Sequence, residues 1–162
     1  MLDPPMLLTL VRHGDAESST NDLRDIGRCL SIEGRAEASA TGQALASRAV
    51  APSHAWSSPL VRAVQTAELI VAALDFGGVI EARDDLFPDS RPPSLFNALA
   101  ELPADADLLV VGHMPYMAAA ASALLDSHVG GFATGAAFRF EIRGLSPTRA
   151  ALKWRWQGRF VD

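Results

Sequence analysis

The stretch from Leu7 to Gly14 constrains the fold more than any other part of the chain. Its first five residues are apolar or β-favouring, which is the length and composition expected of a buried strand. The stretch then ends abruptly in Arg12, His13 and Gly14. A buried charge needs a partner, so these residues are costly to hold at the end of a buried strand. Two interpretations follow: a surface turn after an edge strand, or an anion site that carries a titratable nucleophile.

Length and composition indicate a globular protein. A chain of 162 residues predicts one domain, residues 1–162, which is long enough to bury a sizeable core. The hydrophobic fraction of 49% and the charged fraction of 20% are typical of globular chains. A net charge of -5 argues against nucleic acid or an acidic membrane as a partner, because polyanions repel an acidic surface. A local basic pocket is still compatible with this charge.

The single cysteine, Cys29, cannot form an internal disulfide, and one thiol cannot support a metal site. We expect it to be a small, buried or half-buried side chain, which fits a reducing compartment. The N-terminus lacks the pattern of a signal peptide, and no segment approaches the length of a transmembrane span. The sequence therefore predicts a soluble, cytoplasmic protein without a metal or another cofactor.

Strand signals alternate with helix signals, which predicts a largely parallel sheet. Strands are predicted at 7–12, 54–57, 79–82 and 107–111. Helices are predicted over about 33–50, after Ser58-Pro59, from Ser94 to about Leu102 and after Met114-Pro115. Two long loops are predicted at 14–30 and 84–93. Long loops inside compact domains are usually functional.

Local patterns give more detail for two helices. In the first helix, four residues are predicted to share one face: Ala36, Ala40, Ala44 and Leu45. The second helix is predicted to have Ser58 as its N-cap and Pro59 at its first position. Arg62 would then lie on the first turn, from which it can reach back toward the end of the preceding strand.

The last third of the chain alternates between apolar and polar residues at 137–142 and 149–156, which predicts an antiparallel hairpin. In the second of these strands, one face is predicted to hold Ala150, Leu152, Trp154 and Trp156. We interpret the tryptophans as packing residues. The predicted fold class is an α/β three-layer sandwich, with a mostly parallel central sheet, helices on both faces and a C-terminal antiparallel hairpin.

Polar residues follow three of the predicted parallel strands. They are Arg12-His13-Gly14, then Ser57-Ser58-Pro59 with Arg62 in the next helix, and then Gly112-His113. In open α/β sheets, ligands bind outside the carboxyl ends of the strands. Two arginines and two histidines are therefore expected to meet at one edge of the sheet.

These residue types suit phosphoryl transfer. Guanidinium groups bind phosphate oxygens in bidentate fashion, so Arg12 and Arg62 are candidate phosphate ligands. A neutral imidazole is a competent nucleophile. Gly14 would let the backbone approach an anion closely, and the helix start near Pro59 would add its dipole. Because the sequence holds no P-loop and no carboxylate cluster for magnesium, the reaction is expected to proceed through an enzyme phosphohistidine without a metal.

The same three segments resemble the histidine phosphatase superfamily, also called the phosphoglycerate mutase-like superfamily. The resemblance rests on Arg12-His13-Gly14, on the segment from Ser57 to Thr66 and on Gly112-His113. Within this superfamily, the chain resembles the SixA-type phosphohistidine phosphatases most. This closer resemblance rests on its short length and on a further set of residues: Asp15-Ala16, Arg28, Leu30-Ser31, Gly34 and Thr134-Gly135. Cys29 stands where such sequences commonly have proline.

The resemblance implies a phosphoglycerate mutase-like fold and a role for each matching residue. His13 would be the phosphorylated nucleophile, Arg12 and Arg62 would bind phosphate, and His113 would complete the pocket and stabilise the transferring group. The implied partner is a phosphorylated histidine-containing phosphotransfer protein, and the product is inorganic phosphate. Arg28 contacts the site from its loop or is an ordinary surface residue. Asp15 accepts a hydrogen bond near the site or shapes the turn.

One departure from the family bears on the substrate. Larger members carry a general-acid glutamate in the region that is here 84–93, which offers only Asp84, Asp85 and Asp89. An alkoxide leaving group needs a proton from a placed acid, whereas imidazole needs it less. The gap therefore favours phosphohistidine as the substrate. Two alternatives are a small-molecule phosphomonoesterase or mutase that uses an aspartate of 84–89 as the acid, and a non-catalytic module that binds phosphoproteins.

Overall fold

The computed structural model describes residues 3–19 and 25–162. Its strands are β1 (Met6–Arg12), β2 (His54–Ser57), β3 (Ile80–Ala82), β4 (Asp107–Gly112), β5 (Ala137–Leu145), β6 (Thr148–Trp156) and β7 (Phe160–Val161). Its α-helices are α1 (Ile32–Ser47), α2 (Val61–Ala73), α3 (Pro92–Ala100) and α4 (Tyr116–Leu125), and two 3₁₀ turns lie at Asp25–Gly27 and Asp84–Leu86. Of the predicted loop 14–30, residues 20–24 lie outside the described residues.

The seven strands form one sheet in the order β3-β2-β4-β1-β5-β6-β7. Strands β3, β2, β4 and β1 are parallel, and β5, β6 and β7 add to this sheet in antiparallel fashion. One core, which contains Leu95, Leu99 and Met117, lies between the sheet and the pair α3 and α4. A second core, which contains Leu45 and Ile70, lies between the other face and the pair α1 and α2. The predicted three-layer α/β class is therefore confirmed.

Covered faces explain the continuous apolar runs of the central strands. Every side chain of β4 after Asp107 is buried, and β1 is buried apart from Leu7 and Arg12, because helices cover both faces of the parallel strands. The register pairs Arg12 with Gly112 and Ser57 with Val111. The carboxyl ends of β1, β2 and β4 therefore share one edge, as the sequence predicts.

The buried face of α1 differs from the predicted one. Ala36 and Ala40 are exposed, and the buried residues are Gly34, Ala38, Thr41, Gly42, Ala44 and Leu45. A Cβ atom on Gly42 would lie 2.8 Å from the Cβ of Ala73 in α2. The buried face of this helix is therefore the one whose small residues allow α2 to approach closely. The positions of the alanines do not identify this face, because alanines occur on every side of the helix.

Helix α3 begins at Pro92, two residues before the predicted cap Ser94, and it ends at Ala100. Proline suits the first turn of a helix, because its missing N–H has no intrahelical acceptor there in any case. The proline therefore begins the helix inside the segment 84–93, which is predicted as a loop.

A β-bulge moves the tryptophans of β6 to a different face. Arg139 pairs with Trp154 but Phe140 pairs with Leu152, so Lys153 is the extra residue. Leu152 consequently packs on the core beside α3 and α4, whereas Trp154 and Trp156 pack on the core beside α1 and α2. The prediction that Ala150, Leu152, Trp154 and Trp156 share one face is wrong, and the predicted packing role of the tryptophans is confirmed.

Within residues 3–19 and 25–162, no helix combines the length and the apolar character that a membrane crossing requires. Cys29 is half-buried, as predicted.

Candidate active site

Residues that follow three strand ends meet at the carboxyl edge of the sheet. His13 follows β1 directly, and His113 follows β4. Their ring centroids are 5.0 Å apart, and their exposed fractions are 9% and 2%. Arg62 is 5% exposed and enters from the first turn of α2, while Arg12 ends β1. The positive charges of both arginines act on both imidazole rings. The structure thus brings the four predicted residues together.

The backbone determines which nitrogen of His13 is free. Its Nδ1 lies 2.6 Å from the carbonyl oxygen of Gly14. A carbonyl oxygen can only accept, so Nδ1 carries the proton and the neutral ring keeps a lone pair on Nε2. Burial lowers the pKa of His13 to about 4, and the charges of Arg62 and Arg12 act in the same direction against the opposing effect of the Gly14 hydrogen bond. His13 is therefore a neutral imidazole at pH 7 with Nε2 available for nucleophilic attack.

His113 is held by a residue from the neighbouring strand end. Its Nε2 lies 2.7 Å from Oγ of Ser58, which also accepts a hydrogen bond from the backbone N–H of Leu60 at 3.3 Å. Burial lowers the pKa of His113 to about 3, and the charge of His13 is the next contribution. When the Ser58 hydroxyl donates to Nε2, the proton of the neutral His113 ring lies on Nδ1.

The contact with His113 replaces the N-cap role predicted for Ser58. Helix α2 begins at Val61, its N-cap position is Leu60 with extended backbone angles of φ -65° and ψ 137°, and no side chain caps it. Residues Ser58 and Pro59 therefore still belong to the connection from β2. This connection places the Ser58 hydroxyl at the sheet edge, beside the residue that follows β4. The rule that ligand sites lie after parallel strands could have identified Ser58 as a site residue.

Within residues 3–19 and 25–162, three buried polar atoms of the site have no hydrogen-bond partner. Arg12 donates from one terminal nitrogen to the carbonyl of Phe132 at 2.9 Å, but its Nε is unpaired. The Nε of Arg62 and the Nδ1 of His113 are also unpaired. Among the described residues, these three are all the buried side-chain nitrogen and oxygen atoms without a partner. Buried polar groups normally have partners, so each such exception requires an explanation.

Asp25 occupies the other donors of Arg62 and is absent from the site predicted from the sequence. One terminal nitrogen of Arg62 donates to the backbone carbonyl of Asp25 at 3.0 Å, and the other donates to its Oδ2 at 3.3 Å. Arg28 donates to Oδ1 of Asp25 at 3.0 Å and to the carbonyl of Glu17 at 2.8 Å. The charge of Arg28 also acts on His13. Arg28 is thus close to the site, and it contacts Arg62 through Asp25. Asp25 lies in a loop without periodicity, which offers no sequence signal for this contact.

The structure gives Gly14 a packing role. A Cβ atom there would collide with the carbonyl oxygen of Gly34 in α1. The N–H of Gly14 donates to Oγ1 of Thr66 at 3.1 Å, and that hydroxyl donates to the carbonyl of Arg62 at 2.7 Å. Since its N–H already has an acceptor, the phosphate contact predicted for Gly14 is not supported. Its role is to join β1 closely to α1 and α2.

Asp15 shapes the entry into α1, which is the second of its two predicted interpretations. Its carboxylate accepts a hydrogen bond from Oγ of Ser31 at 2.6 Å, and Ser31 in turn accepts from the N–H of Gly34 at 3.0 Å as the N-cap of α1. The backbone N–H of Asp15 donates to Glu37 at 2.8 Å. Asp15 therefore fixes the turn that follows His13.

Glu37 is a second residue that sequence reasoning missed. Its other carboxylate oxygen accepts from Oγ1 of Thr134 at 3.1 Å, and its charge partly offsets the lowering of the Arg12 pKa by burial. The N–H of Gly135 lies 3.0 Å from the carbonyl of Arg12. The segment Thr134-Gly135 thus joins α1 to the end of β1 and holds the backbone of the site.

The aspartates of the predicted acid region have other partners or face solvent. Arg83 donates to both carboxylate oxygens of Asp85, at 3.0 and 2.8 Å. The Arg83 guanidinium also lies 4.2 Å from the centre of the Trp56 ring. Asp84 and Asp89 are exposed. Both oxygens of the Asp85 carboxylate are thus engaged by one guanidinium, so Asp85 is not free to contact a leaving group.

A cavity of about 430 Å³ lies away from these groups, lined by residues that include Met6, Leu99, Ile142 and Arg149. None of the four predicted catalytic residues lines it. In the described part of the chain, no group of three or more histidine, cysteine, aspartate or glutamate residues is placed to hold a metal ion.

Comparison with known proteins connects this geometry to a family. The model of the histidine phosphatase superfamily (branch 1) matches residues 8–86. This range includes Arg12, His13 and Arg62. No curated protein shows significant similarity to the chain in sequence.

Solved structures share the fold over nearly the whole chain. The protein histidine phosphatase SixA, solved with tungstate, has a TM-score of 0.84 and 23% identity, over 94% of this chain and 97% of that one. A SixA-type protein from Nakamurella multipartitia has a TM-score of 0.78 and 28% identity, over 95% and 98%. A mycobacterial glucosyl-3-phosphoglycerate phosphatase, solved with inorganic phosphate, has a TM-score of 0.70 and 20% identity, over 91% and 95%.

Proposed function

We infer that this chain, which has the fold and the N-terminal motifs of the histidine phosphatase superfamily, removes phosphoryl groups from phosphohistidine in proteins. The family resemblance and the phosphatase class predicted from the sequence are confirmed by the family match and the structural likeness. The substrate and the residue roles below are our proposal. A cytoplasmic location stays a prediction.

The observation that carries the proposal is the set of three unpaired atoms, which are Nε of Arg12, Nε of Arg62 and Nδ1 of His113. Two of them are N–H donors, and Nδ1 of His113 becomes one when Ser58 donates to Nε2. Donors that converge in a buried site stabilise the charge that develops in a transferring phosphoryl group. A phosphoryl group would therefore satisfy all three atoms at once.

The first step forms a phosphorus–nitrogen bond to Nε2 of His13 and breaks the corresponding bond in the substrate. The substrate ring, which is protonated on its second nitrogen, leaves as neutral imidazole with the electron pair of the broken bond. Nδ1 of His13 keeps its proton, and the hydrogen bond to the Gly14 carbonyl stabilises the positive charge that develops on the ring. Arg12, Arg62 and His113 would donate to the phosphoryl oxygens throughout.

The second step transfers the phosphoryl group to water. The water oxygen bonds to phosphorus, the bond to Nε2 breaks, and the electron pair returns to His13. Both water hydrogens leave with the product, dihydrogen phosphate, which then ionises in solution. His13 is thereby restored as a neutral ring with its proton on Nδ1.

The leaving group is the reason to favour phosphohistidine over a phosphate ester. An alkoxide would require a placed acid, and Asp85 is engaged by Arg83. A phosphohistidine ring that already carries a proton on its second nitrogen leaves as neutral imidazole and requires no such acid. By family resemblance, the physiological partner is a histidine-containing phosphotransfer protein.

The test follows the phosphorus NMR signal of a phosphohistidine-bearing phosphotransfer protein that is incubated with the wild type or with His13→Ala. We expect rapid conversion to inorganic phosphate with the wild type and only the spontaneous rate with the variant. Equal rates would overturn the proposal. Faster turnover of phosphoglycerates or sugar phosphates, with a large loss in Asp85→Asn, would establish the phosphomonoesterase alternative. Binding of phosphoprotein without any turnover would establish the non-catalytic module.

A further inference from the structure

Asp25 closes the site on its solvent side. Its Oδ2 lies 3.3 Å from a terminal nitrogen of Arg62, whose side chain is only 6% exposed, whereas the Asp25 side chain is 59% exposed. Its negative charge also acts on the His113 ring. The Asp25 carboxylate therefore lies between the buried cations and the solvent.

A bound phosphoryl group and the Asp25 carboxylate compete for one terminal nitrogen of Arg62. The two terminal nitrogens of Arg62 now donate to the carbonyl and the carboxylate of Asp25. A phosphoryl group that binds Arg62 in bidentate fashion, through the unpaired Nε and the terminal nitrogen now bonded to Oδ2, would replace the carboxylate there, because two anions cannot share that nitrogen without repulsion. Arg28 would retain the carboxylate through Oδ1, at 3.0 Å in this structure. Asp25 would then remain at the entrance with its second oxygen free.

The direction of attack places the leaving group on the side of Asp25. His13 is 9% exposed, so it approaches phosphorus from inside the protein. In an in-line displacement, the leaving group lies opposite the nucleophile and therefore faces solvent. The other carboxylates near the site have partners of their own. Asp15 accepts from Ser31, and Glu37 accepts from Thr134.

We propose that Asp25 is a specificity-determining residue whose carboxylate pairs with the protonated imidazole of the leaving histidine. This inference rests on the proposed function and deepens it. A phosphohistidine ring that is protonated on its second nitrogen departs as neutral imidazole when its phosphorus–nitrogen bond breaks. The carboxylate favours this protonated form, and it repels leaving groups that depart as anions. One charge thereby replaces the missing acid and discriminates between substrate classes.

The test compares Asp25→Asn with the wild type on two substrates, the phosphohistidine-bearing protein and p-nitrophenyl phosphate, whose leaving group is a phenolate. A nearby carboxylate shifts a pKa by about one unit, so we expect kcat/KM for phosphohistidine to fall about tenfold. For p-nitrophenyl phosphate we expect kcat/KM to rise, because repulsion of the phenolate and competition for Arg62 are both removed. Asp25→Glu should restore the wild-type preference. Asp105→Asn removes the same charge from an exposed position before β4, at the opposite end of that strand from the site, and should change neither value.

Two results would overturn the inference, and they differ from each other. In the first, the wild type hydrolyses phosphohistidine, but the two kcat/KM values of Asp25→Asn are unchanged or change by the same factor. This result overturns the role of Asp25 alone. A wild type that hydrolyses p-nitrophenyl phosphate but not phosphohistidine overturns the proposed function, and this inference with it. A purely structural role for Asp25 would affect both substrates alike, so the ratio of the two values is the decisive readout.

Discussion

Arginines are buried in two regions of this molecule, and the two regions treat them differently. Arg139 on β5 donates to both carboxylate oxygens of Asp107, at 2.6 and 2.7 Å, and to Oγ1 of Thr9 at 2.9 Å. All three residues are parts of strands of the sheet. This ion pair is therefore completed by folding alone, and it lies at the amino end of β4.

At the carboxyl end of the same strand, folding leaves the guanidinium groups incomplete. Arg12 and Arg62 each retain an unpaired Nε, and the only carboxylate on Arg62 among the described residues belongs to the exposed Asp25. A buried arginine is thus no sign of function by itself. The distinction lies in whether the protein itself supplies an acceptor for every buried donor of the arginine. It does so for Arg139, whereas an acceptor is missing at Nε of Arg12 and at Nε of Arg62 among the described residues.

The largest expected effect comes from Arg62→Met, which should separate activity from stability. Loss of one donor to the transferring group lowers kcat/KM for phosphohistidine by about a hundredfold or more. The free energy of unfolding should change by less than about 1 kcal/mol, because Asp25 is left in solvent. Enzyme assays and urea unfolding measure the two quantities. A variant that loses stability but keeps its activity would place Arg62 in the same class as Arg139.

Arg139→Met is the matched substitution at the other region, and we expect the opposite result. The substitution leaves the Asp107 carboxylate, whose side chain is only 15% exposed, without its ion-pair partner. An unpaired charge at this depth lowers the free energy of unfolding by about 3 kcal/mol. The kcat/KM of the folded fraction should be unchanged. The double variant Arg139→Met with Asp107→Leu should recover most of the stability, since no charge is then left unpaired. If the single variant were as stable as the wild type, the ion pair would not be the structural element described here.

The sequence predicts the site better than its surroundings for a topological reason. Parallel strands joined by helices must place their carboxyl ends at one edge, so Arg12, His13 and His113 could be assigned from their order in the chain. Arg62 follows from helical geometry, because it lies on the first turn of the next helix. These inferences require only the types of elements and their order.

The partners of these residues depend on contacts that no local pattern encodes. Ser58 is 55 residues from His113, and Asp25 is 37 residues from Arg62. The bulge at Lys153 likewise reverses the faces of Trp154 and Trp156 relative to strict alternation. A single inserted residue is invisible in a period-2 pattern, because the pattern only assigns faces while the register is continuous.

The smallest expected effect is a pH dependence of stability that arises at the carboxyl edge. Burial lowers the pKa of His13 to about 4 and of His113 to about 3, below the unfolded value of about 6.5. Between the folded and the unfolded pKa values, the unfolded chain binds more protons than the folded one. The free energy of unfolding therefore falls as the pH falls through this range. From pH 7 to pH 6 we expect a loss of about 1 kcal/mol in the free energy of unfolding, measured by urea unfolding without phosphate. His13→Asn should reduce this loss, whereas His128→Asn, at an exposed position, should leave it unchanged. The idea that the site holds both histidines neutral would be contradicted if their imidazole NMR signals titrated near pH 6.5. The contrast with the fully paired Arg139 would then rest on the arginines alone.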